Sequence, residues 1–297
     1  MDTRQDRRRR GQSGAIVVNR RAAGYIAGNA LLYLILAAGS LFILVPFAWT
    51  LSTSLLSVEE IYQIPKKWIP TPPRFENYLR VLHDIPFGLY YFNTLKITVL
   101  NIVGTVLSCS LVAFAFARMR FRAQSLLFVL VISTTMIPIQ VLIIPRFVLF
   151  RTLGWLASHL PLIVPSFFGE AVGIFLFRQF FLTIPRELDD AAKIDGCGYF
   201  GIYARIILPL AKPVIGIVGV FTFIEVWRDF FSPLIYISKS RLYTISLGLT
   251  GFFKGMNVEW HLIMAANIIA LLPPLVIFFI GQRYFLEGAV MHAGLKQ

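Results

Sequence analysis

PRELDDAAKIDGCGYFGIYARIILP (residues 185–209) is the longest polar interruption in the second half of an otherwise apolar chain. Arg186, Glu187, Asp189, Asp190, Lys193 and Asp195 crowd its first half, and Gly196 and Gly198 divide it. Pro185 suits a helix start, where a missing N–H costs nothing. Glu187, Asp189 and Asp190 place negative charge in the first turns, where the helix dipole favours it. Leu188, Ala191, Ala192 and Asp195 fall on one side at i, i+3, i+4 and i+7, and the two alanines let another surface approach closely. Gly196 and Gly198 end that helix and permit a sharp turn. Beyond it, Tyr199, Ile202, Tyr203, Ile206 and Leu210 recur at helical spacing, giving a second helix one apolar face. The segment predicts a helix-turn-helix hairpin with a charged, small-sided tip. Two uses stand open for it: a solvated amphipathic loop lying on a membrane, or a docking knob for a cytoplasmic partner.

Outward from the hairpin the chain is dominated by apolar residues. Of its 297 residues 57% are hydrophobic and only 14% charged, with 27 Phe and a mean hydropathy of +0.72. Soluble domains carry about 25% charged and about 45–50% apolar residues. Lipid is therefore the main solvent. A helix crosses the hydrocarbon core with about 20 residues, and six apolar stretches qualify, roughly 27–52, 97–117, 123–145, 160–182, 213–237 and 262–282. The fold class is an all-α polytopic membrane protein of six transmembrane helices. The amino terminus, MDTRQDRRRRGQSG, is too basic to enter lipid. The run after it is too long for a signal-peptide core and has no small-residue cleavage site, so it reads as an uncleaved first span.

Charge orients the spans. With the amino terminus inside, the segments facing the cytoplasm hold 17 Lys and Arg and the outside loops hold 9, two more lying within spans. Positive charge concentrates on the cytoplasmic side, which puts both termini and the hairpin inside the cell. The net charge of +13 is thus a topology signal, and nucleic-acid binding is excluded as its explanation. Cys109 and Cys197 are far apart and predict two free thiols, and the four histidines show no metal-ligand spacing.

Charges inside spans are costly and mark bundle interiors or cavities. In IEVWRDF (224–230), Glu225, Arg228 and Asp229 share one helix face by spacing, with Trp227 beside them. They form either a self-satisfied Glu225–Arg228 pair or one wall of a polar cavity. Glu170 has no sequence neighbour to pair with and must face the bundle interior or a cavity. Pro138 and Pro145 in the third span, Pro161 and Pro165 in the fourth and Pro273-Pro274 in the sixth each predict a kink. The long outside loop, 53–92, is rich in proline and aromatics, and in it FENYLRVL (75–82) reads as a short helix with Phe75, Tyr78, Leu79 and Leu82 on one face. That loop is either a partner-docking surface or a lid on its own bundle.

The hairpin also carries a resemblance. Asp190-Ala191-Ala192, three residues, Gly196, nine residues and Ile206-Ile207-Leu208-Pro209 is similar to the EAA loop of ABC-type importer permeases. FENYLRVL, AFAFARMRF (113–121), MIPIQVLIIP (136–145), FRQFFLTIPRELDDAAKIDG (177–196), WRDFFSPL (227–234) and GQRYFLEG (281–288) resemble the carbohydrate branch of that family, in order, over most of the chain. Within it the set looks like the shorter, six-span member of a maltose-type or glycerol-phosphate-type permease pair. Two departures stand out: Asp190 replaces the usual glutamate, and Arg228 stands where asparagine is common.

The resemblance implies a division of the chain. A basic cytoplasmic tail (1–24) precedes the first span and long outer loop (25–92). A five-helix importer core (93–284) holds the loop 183–212, and a cytoplasmic tail (285–297) ends the chain. It implies half of a transmembrane pathway for a carbohydrate or related polar solute in a prokaryotic cell membrane. Its implied partners are a second permease, two cytoplasmic ATP-binding subunits and an extracytoplasmic solute-binding protein. The coupling residues would be Glu187, Asp190, Ala191, Ala192, Gly196, Ile207, Leu208 and Pro209. Beside these, the span residues Glu170, Glu225, Trp227, Arg228 and Asp229 are candidates, from their positions, for the pathway or for helix-helix polar contacts. No phosphate-cradling loop occurs in the chain, so it cannot hydrolyse ATP by itself; the resemblance implies a non-catalytic subunit that binds no cofactor, with ATP and Mg held by the ATPase subunits. The competing reading is an ion-coupled secondary transporter using Glu170, Glu225 and Asp229 as its relay. A membrane hydrolase lacks a catalytic constellation, and a passive anchor has no use for charges inside spans.

Overall fold

The computed structural model describes residues 3–254 and 257–294, and the side chains of residues 29–253 and 258–282. The basic tail at 1–24, the tail at 285–297 and most of GQRYFLEG lie outside those side chains. Helices Asn29–Ser54, Phe87–Arg118, Leu160–Thr183 and Trp260–Gln282 are each long and apolar enough to cross a membrane. Two further spans are bent pairs, Gln124–Met136 with Ile139–Thr152 at 92° and Tyr199–Leu210 with Lys212–Arg228 at 77°. Counting each pair once gives the expected six. Among the described residues the only extended pairing joins Phe253–Lys254 to Asn257–Val258.

Two spans depart from the sequence expectation. The third is expected between Arg122 and Arg146 with a kink at Pro138; the kink is there, but as a full break, and the span runs beyond Arg146. It breaks at Ile137, which is extended (φ −83°, ψ 113°), and resumes at Ile139 to run to Thr152. The cause is Pro138, which has no N–H and pushes the residue before it out of the helical region. The fifth was placed at about 213–237, but its helix ends at Arg228. Asp229 is extended (φ −66°, ψ 114°), and its Oδ1 accepts a hydrogen bond from the Ser232 N–H at 3.0 Å. An aspartate competes with the helix for backbone partners in this way, and Pro233 supplies no N–H to bridge the gap. Asp229 therefore does not share a helix face with Glu225 and Arg228.

The second span organises the rest. Its 32 residues reach about 48 Å, well beyond the ~30 Å hydrocarbon core. The fourth and fifth spans pack on it, while the last span packs on the first and fifth. At Gly104 the fourth span approaches so closely that a Cβ would lie 2.8 and 2.9 Å from the Phe167 ring and would also meet Ser166 Oγ. That approach occurs where Pro161 and Pro165 interrupt the fourth span's hydrogen bonds. The second span supplies partners: Asn101 Nδ2 donates to Leu162 O at 2.9 Å and Ser108 Oγ to Ser166 O at 2.9 Å. Kinked membrane helices need such replacement bonds, because lipid offers none. Pro273 and Pro274, by contrast, lie inside a helix that continues through them.

Two cores result. One joins Cys109, Ala113, Phe114, Phe177, Phe181 and Ile207 among others, at the hairpin end of the bundle. The other joins Val81, Phe87, Ile245, Phe252, Leu262 and Ala266 beneath the outer loop. The loop helix Glu76–Asp84 belongs to this second core with its opposite face inward. Asn77 and Val81 are buried, whereas Phe75, Leu79 and Leu82 are exposed and Tyr78 is half-buried. Asn77 decides this, since its Nδ2 donates to Ser54 O at 2.9 Å and Leu56 O at 3.0 Å, carbonyls freed where the first span ends. Arg80 adds an ion pair to Glu259 at 3.1 Å, so the loop packs on its own bundle.

Candidate functional site

The polar segment is a helix, Glu187–Ile194, a turn, and a second helical arm from Tyr199 to Leu210. The turn is a Schellman motif. The Gly196 N–H donates to Lys193 O at 3.0 Å, the Cys197 N–H donates to Ala192 O at 2.8 Å, and Gly196 takes the left-handed φ of +81°. Along the first helix Glu187, Leu188, Asp190, Ala191 and Ile194 face solvent, Ile194 with 87% of its surface exposed. Asp190 pairs with Lys193 at 3.0 Å on that surface and holds its ammonium above the ordinary lysine value.

The expected small-residue face is rotated. Ala192 is buried with Asp189, while Ala191 is exposed with Leu188 and Asp195. What turns it is a residue the sequence reading passed over as a span boundary. Arg118, the last residue of the second span, reaches Asp189 with Nη1–Oδ2 at 3.4 Å, both side chains buried. Arg118 Nη2 also donates to Ile184 O at 2.9 Å, and Arg186 Nη2 donates to Ala117 O at 3.3 Å. The available signal was a charged residue at the end of an apolar span; its spacing does not name Asp189 as the partner.

The second arm holds a π turn at Tyr203–Ile207. One extra residue per turn shifts every later side chain around the helix. Ile207 is consequently buried completely, where the spacing had favoured Ile206, which is half-buried, and Leu210 is exposed. Tyr199 is exposed as well. Of the closing motif, Ile207 is core, Leu208 is half-buried and Pro209 is exposed, so this part anchors the arm. Tyr203 Oη and Ser110 Oγ share a buried hydrogen bond at 2.8 Å, tying the arm to the second span.

The pathway candidates are partly assembled. Glu170 stands at the break within the fourth span, extended at φ −125°, with its N–H donating to Cys109 Sγ at 3.3 Å. Glu225, on the fifth span, lies within electrostatic reach of it. Both carboxylates and Arg228 are exposed in the single chain, and Glu225 makes no ion pair with Arg228. The self-satisfied pair is thus absent among the described residues. Trp227 is structural: it is buried, its Nε1 donates to Ala270 O at 3.0 Å, and its ring stacks on Phe223. Asp229 caps the next turn. Cys109 and Cys197 are free thiols, and no group of metal-ligating residues occurs among the described residues.

A family model for the inner membrane component of binding-protein-dependent transport systems matches residues 109–288, from mid-second span to beyond the sixth. The chain belongs to that family. It is similar to the sn-glycerol-3-phosphate transport system permease protein UgpE of Yersinia enterocolitica, with 33% identity over 87% of this chain and 94% of that protein. The sulfoquinovosyl glycerol transport system permease protein SmoH of Agrobacterium fabrum is 31% identical over 85% of this chain and 89% of its own. The arabinooligosaccharides transport system permease protein AraQ of Bacillus subtilis is 31% identical over 76% and 80%. A bacterial ABC transporter that imports the polysaccharide alginate has a chain of the same fold, with a TM-score of 0.77 over 86% of this chain and 96% of that one, at 23% identity. This family member is a non-catalytic permease subunit of an ABC importer, with ATP hydrolysis in separate subunits. Membership favours that role over the ion-coupled alternative.

Proposed function

We propose that this permease forms half of the pathway for a carbohydrate or sugar-derived polar solute, driven through the 185–209 hairpin. In this reading residues 93–284 are the importer core and both termini are cytoplasmic. A second, different permease completes the pathway, a solute-binding protein delivers cargo from outside, and two ATPase subunits bind Mg and ATP. Glu170, Glu225 and Arg228 face the shared cavity. The cargo class rests on relatives that handle glycerol phosphate, a sulfoquinovosyl glycerol and arabinooligosaccharides.

The observation that carries the reading is the hairpin tip. Glu187, Asp190 and Ala191 face outward from the bundle on a helix whose other side is buried, so an acidic, close-approach surface is held in place and left uncovered. A basic cleft on an ATPase is its natural complement, and ATP acts by favouring the hairpin position that the cleft holds best. Mild-detergent purification from the native membrane, followed by identification of the co-purifying proteins, tests this. An ATPase and a second permease are expected, with Asp190→Lys depleting the ATPase. Recovery of the chain with no ATPase would refute the docking role.

A further inference from the structure

The hairpin is bound to the second span on both of its arms, and the two ties have no part in the tip surface. The first arm is held by Arg118–Asp189, buried on both sides. Asp189 Oδ1 and Arg118 Nε are buried without a hydrogen-bond partner, so the Nη1–Oδ2 contact is the charge compensation Asp189 has, while Arg118 is also held by Ile184 O. A buried charge stripped of its partner is strongly unfavourable, which makes the pair a fixed constraint where a surface pair would be a loose one. The second arm is held by Ser110–Tyr203, with the Phe114 and Tyr203 rings 5.4 Å apart. Ser110 and Arg118 are eight residues apart on one helix, about 12 Å along its axis. Two ties separated by that lever oppose rocking of the hairpin against the span, where a single tie would act as a pivot.

We infer that Arg118 and Asp189 are positioning residues that make the hairpin and the whole second span one rigid body, the Ser110–Tyr203 bond being the second fastening. A displacement of the hairpin by its cytoplasmic partner is then carried undiminished along the span, past Cys109, where the fourth-span break that carries Glu170 is bonded, to the span's far end. The inference rests on the docking reading for the source of that displacement. It adds which part of the bundle moves and what fastens it.

The test uses the complete importer, purified with its partner subunits and carrying Cys197→Ser. Spin labels are placed at Phe200→Cys and Leu89→Cys, both exposed and at opposite ends of the proposed body. Their distance is measured with and without trapping by Mg-ATP and vanadate. In the parent the distance is expected to stay fixed on trapping. In Asp189→Asn and in Arg118→Met it shifts on trapping, and the exchanged pair Arg118→Asp with Asp189→Arg restores the fixed distance. Coupling energies of this kind are worth about 5–150-fold, so ATP hydrolysis stimulated by the binding protein is expected to fall at least about fivefold in the single variants. A parental distance that changes on trapping overturns the inference, and so do single variants that behave as the parent. Where a single variant fails to insert, Ser110→Ala with Tyr203→Phe is read in the same way, and failure of all variants, exchange included, assigns the pair to folding and overturns the inference. The amount of ATPase in each preparation reports docking separately: its absence from the parent refutes the docking reading, whereas its presence together with a changing parental distance, or with single variants that keep the parental distance, refutes only this one.

Discussion

Gly196→Ala separates backbone geometry from packing in the hairpin. A Cβ at Gly196 would meet nothing within 4 Å, so the substitution adds no clash. Its whole cost is the left-handed conformation at φ +81°, about 1–2 kcal/mol for a residue with a side chain. That cost corresponds to about 5–30-fold in the population of the intact turn. The amides to watch are Gly196 and Cys197, whose N–H groups close the Schellman motif. Hydrogen exchange read by mass spectrometry on the reconstituted complex should show residue 196 in its alanine form and Cys197 exchanging faster by that factor, with the spans unchanged. Gly196→Pro removes the N–H as well and should abolish the protection and uncouple ATP hydrolysis from uptake. Gly198→Ala is the control, since Gly198 sits at φ −73° with open space around it. Alanine there should be neutral or stabilising by about 0.4–1 kcal/mol. Equal protection in Gly196→Ala and the parent, or equal loss in Gly198→Ala, would refute the assignment of the turn.

Gly104→Ala gains up to about 1 kcal/mol of helix propensity, but overpacking against Phe167 and Ser166 costs about 1–3 kcal/mol. Net destabilisation is expected, and a raised thermal midpoint in detergent would contradict it. Asn77→Ala strands two buried carbonyls, at about 1–3 kcal/mol, and should make the 55–85 loop sensitive to protease added from outside. His159 is buried beside the fourth span, and its Nε2 donates to Leu242 O at 2.8 Å. Burial is the larger influence and holds its pKa below the ordinary imidazole value, outweighing the carbonyl. The stability it contributes is full above about pH 6.5 and is lost as pH falls from there towards its folded value. Acidification through that window should lower the thermal midpoint, and His159→Gln should flatten the dependence.

Composition revealed the six spans because lipid imposes that constraint on every residue. The hairpin turn was legible for a local reason: Gly196 is the residue a left-handed turn requires. The faces were not. Ala192 rather than Ala191 is buried because Arg118, more than seventy positions earlier, meets Asp189, and no local periodicity carries that information. Ile207 replaces Ile206 in the core because a π turn alters the period on which the face was counted. The loop helix turned over because Asn77 meets carbonyls left at the end of the first span, a tertiary demand stronger than the apolar stripe of Phe75, Leu79 and Leu82. Within the pathway, the proximity of Glu170 to Glu225 depends on helix packing, and spacing supplied only the candidates.

The exposure of Glu170, Glu225 and Arg228 has a consequence for the life of the protein in its cell. A charge left at mid-span costs at least about 2.5–3.5 kcal/mol on insertion scales; in a solitary copy Glu170 stands there uncovered, with Glu225 and Arg228 exposed in the last turn of the fifth span. Such a copy is a poor resident of a bilayer and a good substrate for the proteases that clear unassembled subunits. Its abundance should follow that of the subunit that completes the cavity, so that the charges which serve passage also act as a check on stoichiometry.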